Sequence, residues 1–269
     1  MRQVKIGICQ MAVEADKTTN IEKAGAMIQN AARNGCILAV LPEMFNCPYQ
    51  ADLFPRYAER YPGETAEALS KMAASHGLIL VGGSIPEEEA GRVYNTSFVF
   101  GPHGELLGRH RKVHLFDVAI QGGTVFRESD SLTAGREITV IRTEKAALGI
   151  GVCYDMRFPE MARTMVLRGA EILIYPAAFG PTTGPAHWEL ILRNRAVDNQ
   201  VFVIGAAPAF NPLADYQAYG HSLVADPWGR IVAEAGQEET LLLVEIDLDY
   251  ITRVRQELPL LQHRHPELY

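Results

Sequence analysis

No pair of cysteines stands at C-x-x-C spacing in this chain; its four cysteines, Cys9, Cys36, Cys47 and Cys153, lie far apart. That excludes a zinc knuckle and a thioredoxin-type redox motif. Cofactor signatures are missing too. There is no P-loop, and Gly149-Ile150-Gly151 opens no dinucleotide fingerprint, because Tyr154 holds the place of the third glycine. His110 and His114 lack the intervening Glu of an H-E-x-x-H site, and no P-C-x-x-C follows His187-Trp188-Glu189. Neither a metal nor a cofactor is expected. Long hydrophobic runs are absent: Ile37–Pro42 and Val201–Phe210 fall far short of the roughly 20 residues of a membrane helix. The apolar stretch after Met1-Arg2-Gln3-Val4-Lys5 is broken by Gln10 and Glu14, too soon for a signal peptide. These absences predict a cytoplasmic protein with reduced thiols and no membrane partner. Positive charge is in deficit, with Lys+Arg 25 against Asp+Glu 32, a net −7. That balance argues against nucleic acid or an anionic membrane as partner, and it obliges any anionic substrate to meet a local cation.

What is present is enough apolar residue, 48% of 269, for a full core. Val4–Met11 reads as a strand, Thr18–Asn34 as an amphipathic helix, Ile37–Leu41 as a strand, Glu64–His76 as a helix and Leu78–Ile85 as a strand. A hairpin, Ser97–Phe100 with Glu105–Leu107, follows. The order then recurs: Ala147–Cys153, helix Pro159–Arg168, Glu171–Tyr175, helix His187–Asn199, Val201–Ala207, and a hairpin of Ser222–Ala225 with Arg230–Ala233. Each half is β-α-β-α-β plus a hairpin, and we expect one sheet per half. Two sheets that each carry one helix layer hide their free faces by packing together, giving an α/β four-layer α-β-β-α sandwich of two pseudo-repeated halves. Residues 1–269 are expected to form a single domain.

Reactive groups fall near strand ends, where α/β sheets gather their sites. Cys153 ends a strand just before a helix, whose positive end favours a thiolate; Asp155 is a candidate cap for that helix and Pro159 fits its first turn. Cys153 also fits a buried structural thiol. Cys9 and Cys36 sit in structural positions, and Cys47, in a loop, is the rival nucleophile. Glu43 follows an apolar strand and Pro42, suiting either a general base or a solvated loop carboxylate. Lys112, in Arg109-His110-Arg111-Lys112-Val113-His114, suits either a basic edge strand or a buried ammonium that stabilises an oxyanion. A Cys–His pair using His114, His187 or His221 remains open at this level.

At these residues the sequence resembles the nitrilase superfamily of carbon–nitrogen hydrolases along nearly its whole length. The motifs are Leu41-Pro42-Glu43-Met44-Phe45, Arg111-Lys112-Val113-His114-Leu115-Phe116-Asp117 and Gly151-Val152-Cys153-Tyr154-Asp155-Met156-Arg157-Phe158. The resemblance implies the α-β-β-α fold, a homodimer or higher homo-oligomer, and a catalytic triad of Glu43, Lys112 and Cys153. A further supporting glutamate matches Glu128 in Phe126-Arg127-Glu128-Ser129. Phe45-Asn46-Cys47-Pro48-Tyr49, Gly83-Ser84-Ile85-Pro86-Glu87-Glu88 and Thr182-Thr183-Gly184-Pro185-Ala186-His187-Trp188-Glu189 most resemble ω-amidases. That likeness implies hydrolysis of the terminal amide of 2-oxoglutaramate- or succinamate-type acids through a cysteine thioester. It places Arg157, Phe179 and Thr183 around the substrate, with Tyr49 and Tyr154 lining the pocket. Deaminated glutathione amidase, another small-amide hydrolase, a true nitrilase and a non-catalytic binding or regulatory member are the alternatives. Arg195 and Asp198 match a family motif that reads as structural.

Overall fold

The computed structural model describes residues 2–268. Along the chain run β1 (Gln3–Gln10), α1 (Lys17–Arg33), β2 (Leu38–Val40), α2 (Phe54–Tyr57), α3 (Glu64–His76), β3 (Ile79–Val81), β4 (Ile85–Glu89), β5 (Arg92–Phe100) and β6 (Leu106–Arg111). A small hairpin of β7 (Asp117–Ala119) and β8 (Val125–Arg127) leads into β9 (Thr139–Arg142) and β10 (Ala147–Ile150). Then come α4 (Pro159–Leu167), β11 (Ile172–Pro176), α5 (Gly184–Asn199), β12 (Phe202–Ala206), β13 (Leu223–Ala225), β14 (Ile231–Glu234), β15 (Thr240–Asp247) and α6 (Asp249–Glu257).

Alternation along the strands builds the layers. In β2, Leu38 and Val40 point one way and Ala39 the other; in β11, Ile172 and Ile174 oppose Leu173 and Tyr175. One set of each, with Ile6, Ile8, Leu148, Ile150, Phe202 and Ile204, forms the core between the two sheets. The opposite set of the first sheet packs on Ala24 and Ile28 of α1 and Leu69 and Ala73 of α3. That of the second packs on Ala162 and Met165 of α4 and Trp188 and Leu192 of α5. The result is the expected α-β-β-α sandwich, since only burial of both faces of each sheet removes this much apolar surface from water.

Both halves share one topology. β1, β2 and β3 pair in parallel, as do β10, β11 and β12, and each set continues into antiparallel strands, β5 and β6 or β13 and β14. The sequence-based expectation needs three corrections. The strand expected at Leu78–Ile85 breaks at Gly82 and Gly83, and Ile85 starts β4, which folds back on β5 at the positive-φ pair Ala90-Gly91. β15 crosses from the second half to pair antiparallel with all of β1, so the halves do not keep separate sheets. α5 begins at Gly184, a turn before His187. Among the described residues no helix is long and apolar enough to cross a membrane.

Candidate active site

Glu43 lies just past β2, on a loop braced by its neighbours. Ser84 Oγ accepts the Met44 N–H (3.1 Å), the Ser84 carbonyl accepts the Phe45 N–H (3.3 Å), and the Ser84 N–H donates to Pro42 O (3.2 Å). This approach requires glycine at 83: its φ is +57° and an added Cβ would lie 2.1 Å from Pro42 O. Lys112 follows β6, the edge strand, and is pinned on both sides by Lys112 N–H to Asn95 O and Gly135 N–H to Lys112 O, each 2.8 Å. Neither residue is solvated: Glu43 is 1% and Lys112 0% exposed. The loop-carboxylate and soluble-edge readings are therefore excluded.

The Lys112 ammonium joins two carboxylates, donating to Glu43 Oε1 and Glu128 Oε1 at 2.9 Å each. Glu43 also accepts from Asn95 Nδ2 (2.9 Å) and from the Ala178 N–H (2.7 Å), a group of the opposite half. Glu128 accepts from the Tyr49 hydroxyl (2.9 Å) and the Phe116 N–H (2.7 Å). Burial would lower the Lys112 ammonium, but Glu128 and Glu43 outweigh it and hold it well above its ordinary value. Burial raises Glu43 above the usual carboxylate range despite Lys112, which pulls it down.

Cys153 stands at φ +45°, a left-handed conformation that strains a non-glycine residue and sharpens the turn. Gly151 lets that turn sit against Tyr175, whose ring would lie 2.6 Å from an added Cβ. The thiol is buried and interacts with the Glu43 carboxylate. Burial first, then Glu43, push it well above its ordinary value, with Lys112 opposing. A thiol pushed up in this way suits the expectation that a base takes its proton, and only the expected help from the helix end is lost. A 3₁₀ turn, Cys153–Arg157, intervenes before α4, so Cys153 does not stand at the N-terminus of that helix. Asp155 does not cap α4, whose N-cap Phe158 makes no side-chain bond; Asp155 instead accepts from the histidines at 110 and 114. Pro159 does occupy the first turn.

Of the other sequence-picked residues, Arg157, Phe179 and Tyr154 come together, whereas Tyr49 belongs with Glu128. Arg157 stacks over Phe179 at 4.7 Å and lies 5.8 Å from the Tyr154 ring. Its guanidinium donates to His187 Nδ1 (3.2 Å) and pairs with no carboxylate among the described residues. Tyr49 packs on Phe126 and Tyr216 at 5.2 and 4.7 Å. Thr183 precedes α5 without capping it through its side chain. Arg195 holds the Met156 and Arg157 carbonyls, the structural part expected of it. The histidines left open as partners of Cys153 are committed elsewhere: His114 to Asp155, His187 to Arg157, and His221 toward Glu234. The rival Cys47 is fully buried, and burial raises its thiol far up. A cavity of about 370 Å³ reaches Glu43, Tyr49, Ala178 and Tyr216, though Cys153 and Arg157 are not in its walls. Among the described residues no cluster of three or more His, Cys, Asp or Glu is placed to hold a metal ion.

Asn95, Tyr216 and the Ala178 N–H were not legible beforehand. Asn95 sits in an ordinary strand pattern, Tyr216 in a featureless loop where its hydroxyl donates to Ala178 O (2.6 Å), and a backbone donor carries no side-chain signal.

A buried thiol, carboxylate and ammonium meeting at the strand ends of an α-β-β-α sandwich mark a class, the thiol-bearing hydrolases of carbon–nitrogen bonds. Residues 5–256 match the profile of the carbon-nitrogen hydrolase family, and the chain belongs to that family. It is 47% identical to Xenopus laevis omega-amidase NIT2-A over 269 residues, all of this chain and 98% of that protein. It is 46% identical to Mus musculus omega-amidase NIT2, again over the whole chain and 98% of that protein. Among solved structures, Saccharomyces cerevisiae Nit3, a member of branch 10 of the nitrilase superfamily, superposes with a TM-score of 0.90 at 42% identity, covering 98% of this chain and 97% of that one.

Proposed function

We propose that this chain is an ω-amidase whose chemistry is carried by Glu43, Lys112 and Cys153, with Glu128 in support. The observation that carries the assignment is Glu43 itself: a fully buried carboxylate that accepts from the Lys112 ammonium, interacts with the Cys153 thiol and is pushed up by burial. A thiol held protonated needs a base at the moment of attack, and a raised carboxylate is matched to that task. Glu43 takes the Cys153 proton as the sulfur attacks the amide carbon. The Lys112 ammonium, with the Tyr154 backbone N–H, holds the oxyanion, each such donor lowering the barrier by about 3–4 kcal/mol. Protonated Glu43 returns the proton to the departing nitrogen and ammonia leaves. The thioester that remains is hydrolysed by water that Glu43 deprotonates. Glu128 keeps Lys112 charged and fixed through the second ion pair.

The substrate is a small amide with a distal carboxylate. Arg157, which no carboxylate among the described residues claims, supplies the local cation that an anionic substrate needs on a chain of net charge −7, and its guanidinium suits two-pronged pairing. Phe179 stacks against it; Thr183, Tyr49 and Tyr154 complete the surroundings. Residues 1–269 act as one domain, because Glu43, Lys112 and Glu128 come from the first half and Cys153 and Arg157 from the second. The working form is a homodimer or higher homo-oligomer in the cytoplasm, a compartment that keeps Cys153 reduced. The test is a panel of ω-amides and uncharged short amides assayed for released ammonia. Highest kcat/KM on 2-oxoglutaramate or succinamate is expected. A preference for deaminated glutathione, or acid formation from a nitrile alone, would contradict the assignment.

A further inference from the structure

Asp155 lies two residues beyond Cys153, yet it touches neither the thiol nor the ion pairs around Lys112. Its carboxylate is fully buried and accepts four hydrogen bonds, two on each oxygen. Oδ2 takes the Val152 N–H and His110 Nε2–H, both at 3.0 Å. Oδ1 takes the His114 N–H at 2.9 Å and His114 Nδ1–H at 2.8 Å. These donors bracket the two groups that the proposed chemistry must align. Val152 immediately precedes Cys153, while His110 and His114 stand two residues before and two after Lys112.

The arrangement is rigid. Burial opposes the Asp155 charge, but the bonds from His110 and His114 outweigh it and hold the carboxyl well below its usual range. An ionised carboxylate only accepts, so both rings must present an N–H to it. The far nitrogen of His110 rests on Thr139 Oγ1 (3.0 Å), and the His114 ring stacks on Phe158 at 3.5 Å. Lys112 extends from an edge strand of one sheet and Cys153 from a strand of the other. The core between the sheets is apolar, and apolar packing is non-directional: it sets separation without fixing how one sheet slides on the other. Three of the four bonds, those from His110 and His114, tie one sheet to the other across that interface and supply the missing register, while the fourth holds Val152.

We propose that Asp155 is a positioning residue that sets the spacing of Lys112 and Cys153, a role that rests on the Glu43–Lys112–Cys153 assignment. The test is Asp155→Asn in the full chain, with kcat and KM on succinamate, the melting temperature, and the pH profile of Cys153 alkylation by iodoacetamide. The amide nitrogen of Asn cannot accept, so two of the four donors lose their partner. Because a misplacement of about 1 Å costs on the order of 100-fold, kcat should fall by that order while KM stays within a few-fold. The alkylation profile should move to higher pH, since an ammonium drawn away from the sulfur no longer favours the thiolate. His114→Ala, at a partly exposed position, removes one donor without threatening the fold and should lower kcat several-fold with the same alkylation shift. His114→Asn returns an N–H near the place of Nδ1 and should recover most of the loss. If Asp155→Asn does not fold, the His114 pair decides. Parental kcat in Asp155→Asn or His114→Ala, or a lowered kcat with an unmoved alkylation profile, overturns the role. Cys153→Ala run alongside keeps the two claims apart. Turnover in that variant refutes the nucleophile, whereas an inactive Cys153→Ala beside a fully active Asp155→Asn refutes the positioning role alone.

Discussion

Replacing Lys112 by methionine keeps the volume and removes the charge. In the parent, the ammonium sits 2.9 Å from each of two carboxylates, and none of the three side chains is exposed. In the variant, Glu43 keeps Asn95 and the Ala178 N–H, and Glu128 keeps Tyr49 and the Phe116 N–H, but two like charges face each other without a cation. Breaking one buried pair costs about 3–5 kcal/mol. At roughly 2 °C per kcal/mol for a chain of this size, the melting temperature should drop by about 6–10 °C at pH 8. The loss depends on pH in a definite direction. Glu43 is already raised in the parent, and removing Lys112 removes the attraction that held it down. A carboxyl raised in the folded state binds its proton more tightly there than when unfolded. Its contribution is therefore full below the unfolded value, about 4.3, and is lost as pH rises through the folded one. Acidification lets the two carboxylates share a proton, so the gap to the parent should narrow toward pH 5. Thermal melts of parent and variant at pH 5, 6, 7 and 8 read this directly, and adding Glu128→Gln should restore much of the loss at pH 8. A drop of equal size at every pH, or none, would refute the account of the site as a carboxylate pair held by one ammonium.

Three further outcomes follow from the same geometry. Arg157→Lys loses the planar fork and should raise KM for 2-oxoglutaramate far more than for an uncharged short amide; steady-state kinetics on both decide, and an equal loss would move Arg157 into the scaffold. Because Glu43 must be ionised to take the thiol proton and burial raises it above 4.5, the acid limb of kcat/KM should inflect above that value and activity should fall as pH drops through it. Gly83→Ala forces a Cβ to within 2.1 Å of Pro42 O, so the Glu43 loop must shift and kcat should fall together with the melting temperature; unchanged values of both would contradict the bracing role of Gly83.

Much of this was visible in the chain itself, and the exceptions share a cause. The apolar alternation of Leu38–Val40 and Ile172–Pro176 announces strands with two buried faces, and two such sheets allow few other layerings. Glu43, Lys112 and Cys153 stood out as reactive side chains near strand ends, but placement left each open to a bland role, and it was the motifs shared with a known family that singled them out. The pairing of β15 with β1 was not legible, because it joins segments more than two hundred residues apart and neither carries a mark of its partner. The break after Val81 was hidden because Gly82-Gly83-Ser84 serves the Glu43 loop, a tertiary demand rather than a local one. The surroundings of Cys153 were hidden for a related reason. Sequence displays Glu43 as the group that opposes a thiolate, but neither the burial that weighs most on the thiol nor the 3₁₀ turn that separates it from α4. Asp155 looked like a cap because its partners, His110 and His114, reach it only across the sheet interface.

The central claim is that Cys153 carries the acyl group during amide hydrolysis. Mass spectrometry of the intact protein, quenched in acid during turnover of succinamate and followed by peptide mapping, tests it most directly. The account predicts a mass gain equal to the succinyl group, confined to the peptide containing Cys153 and absent from Cys153→Ala, which should stay folded and release no ammonia. An acyl group on Cys47, or turnover retained in Cys153→Ala, would contradict it.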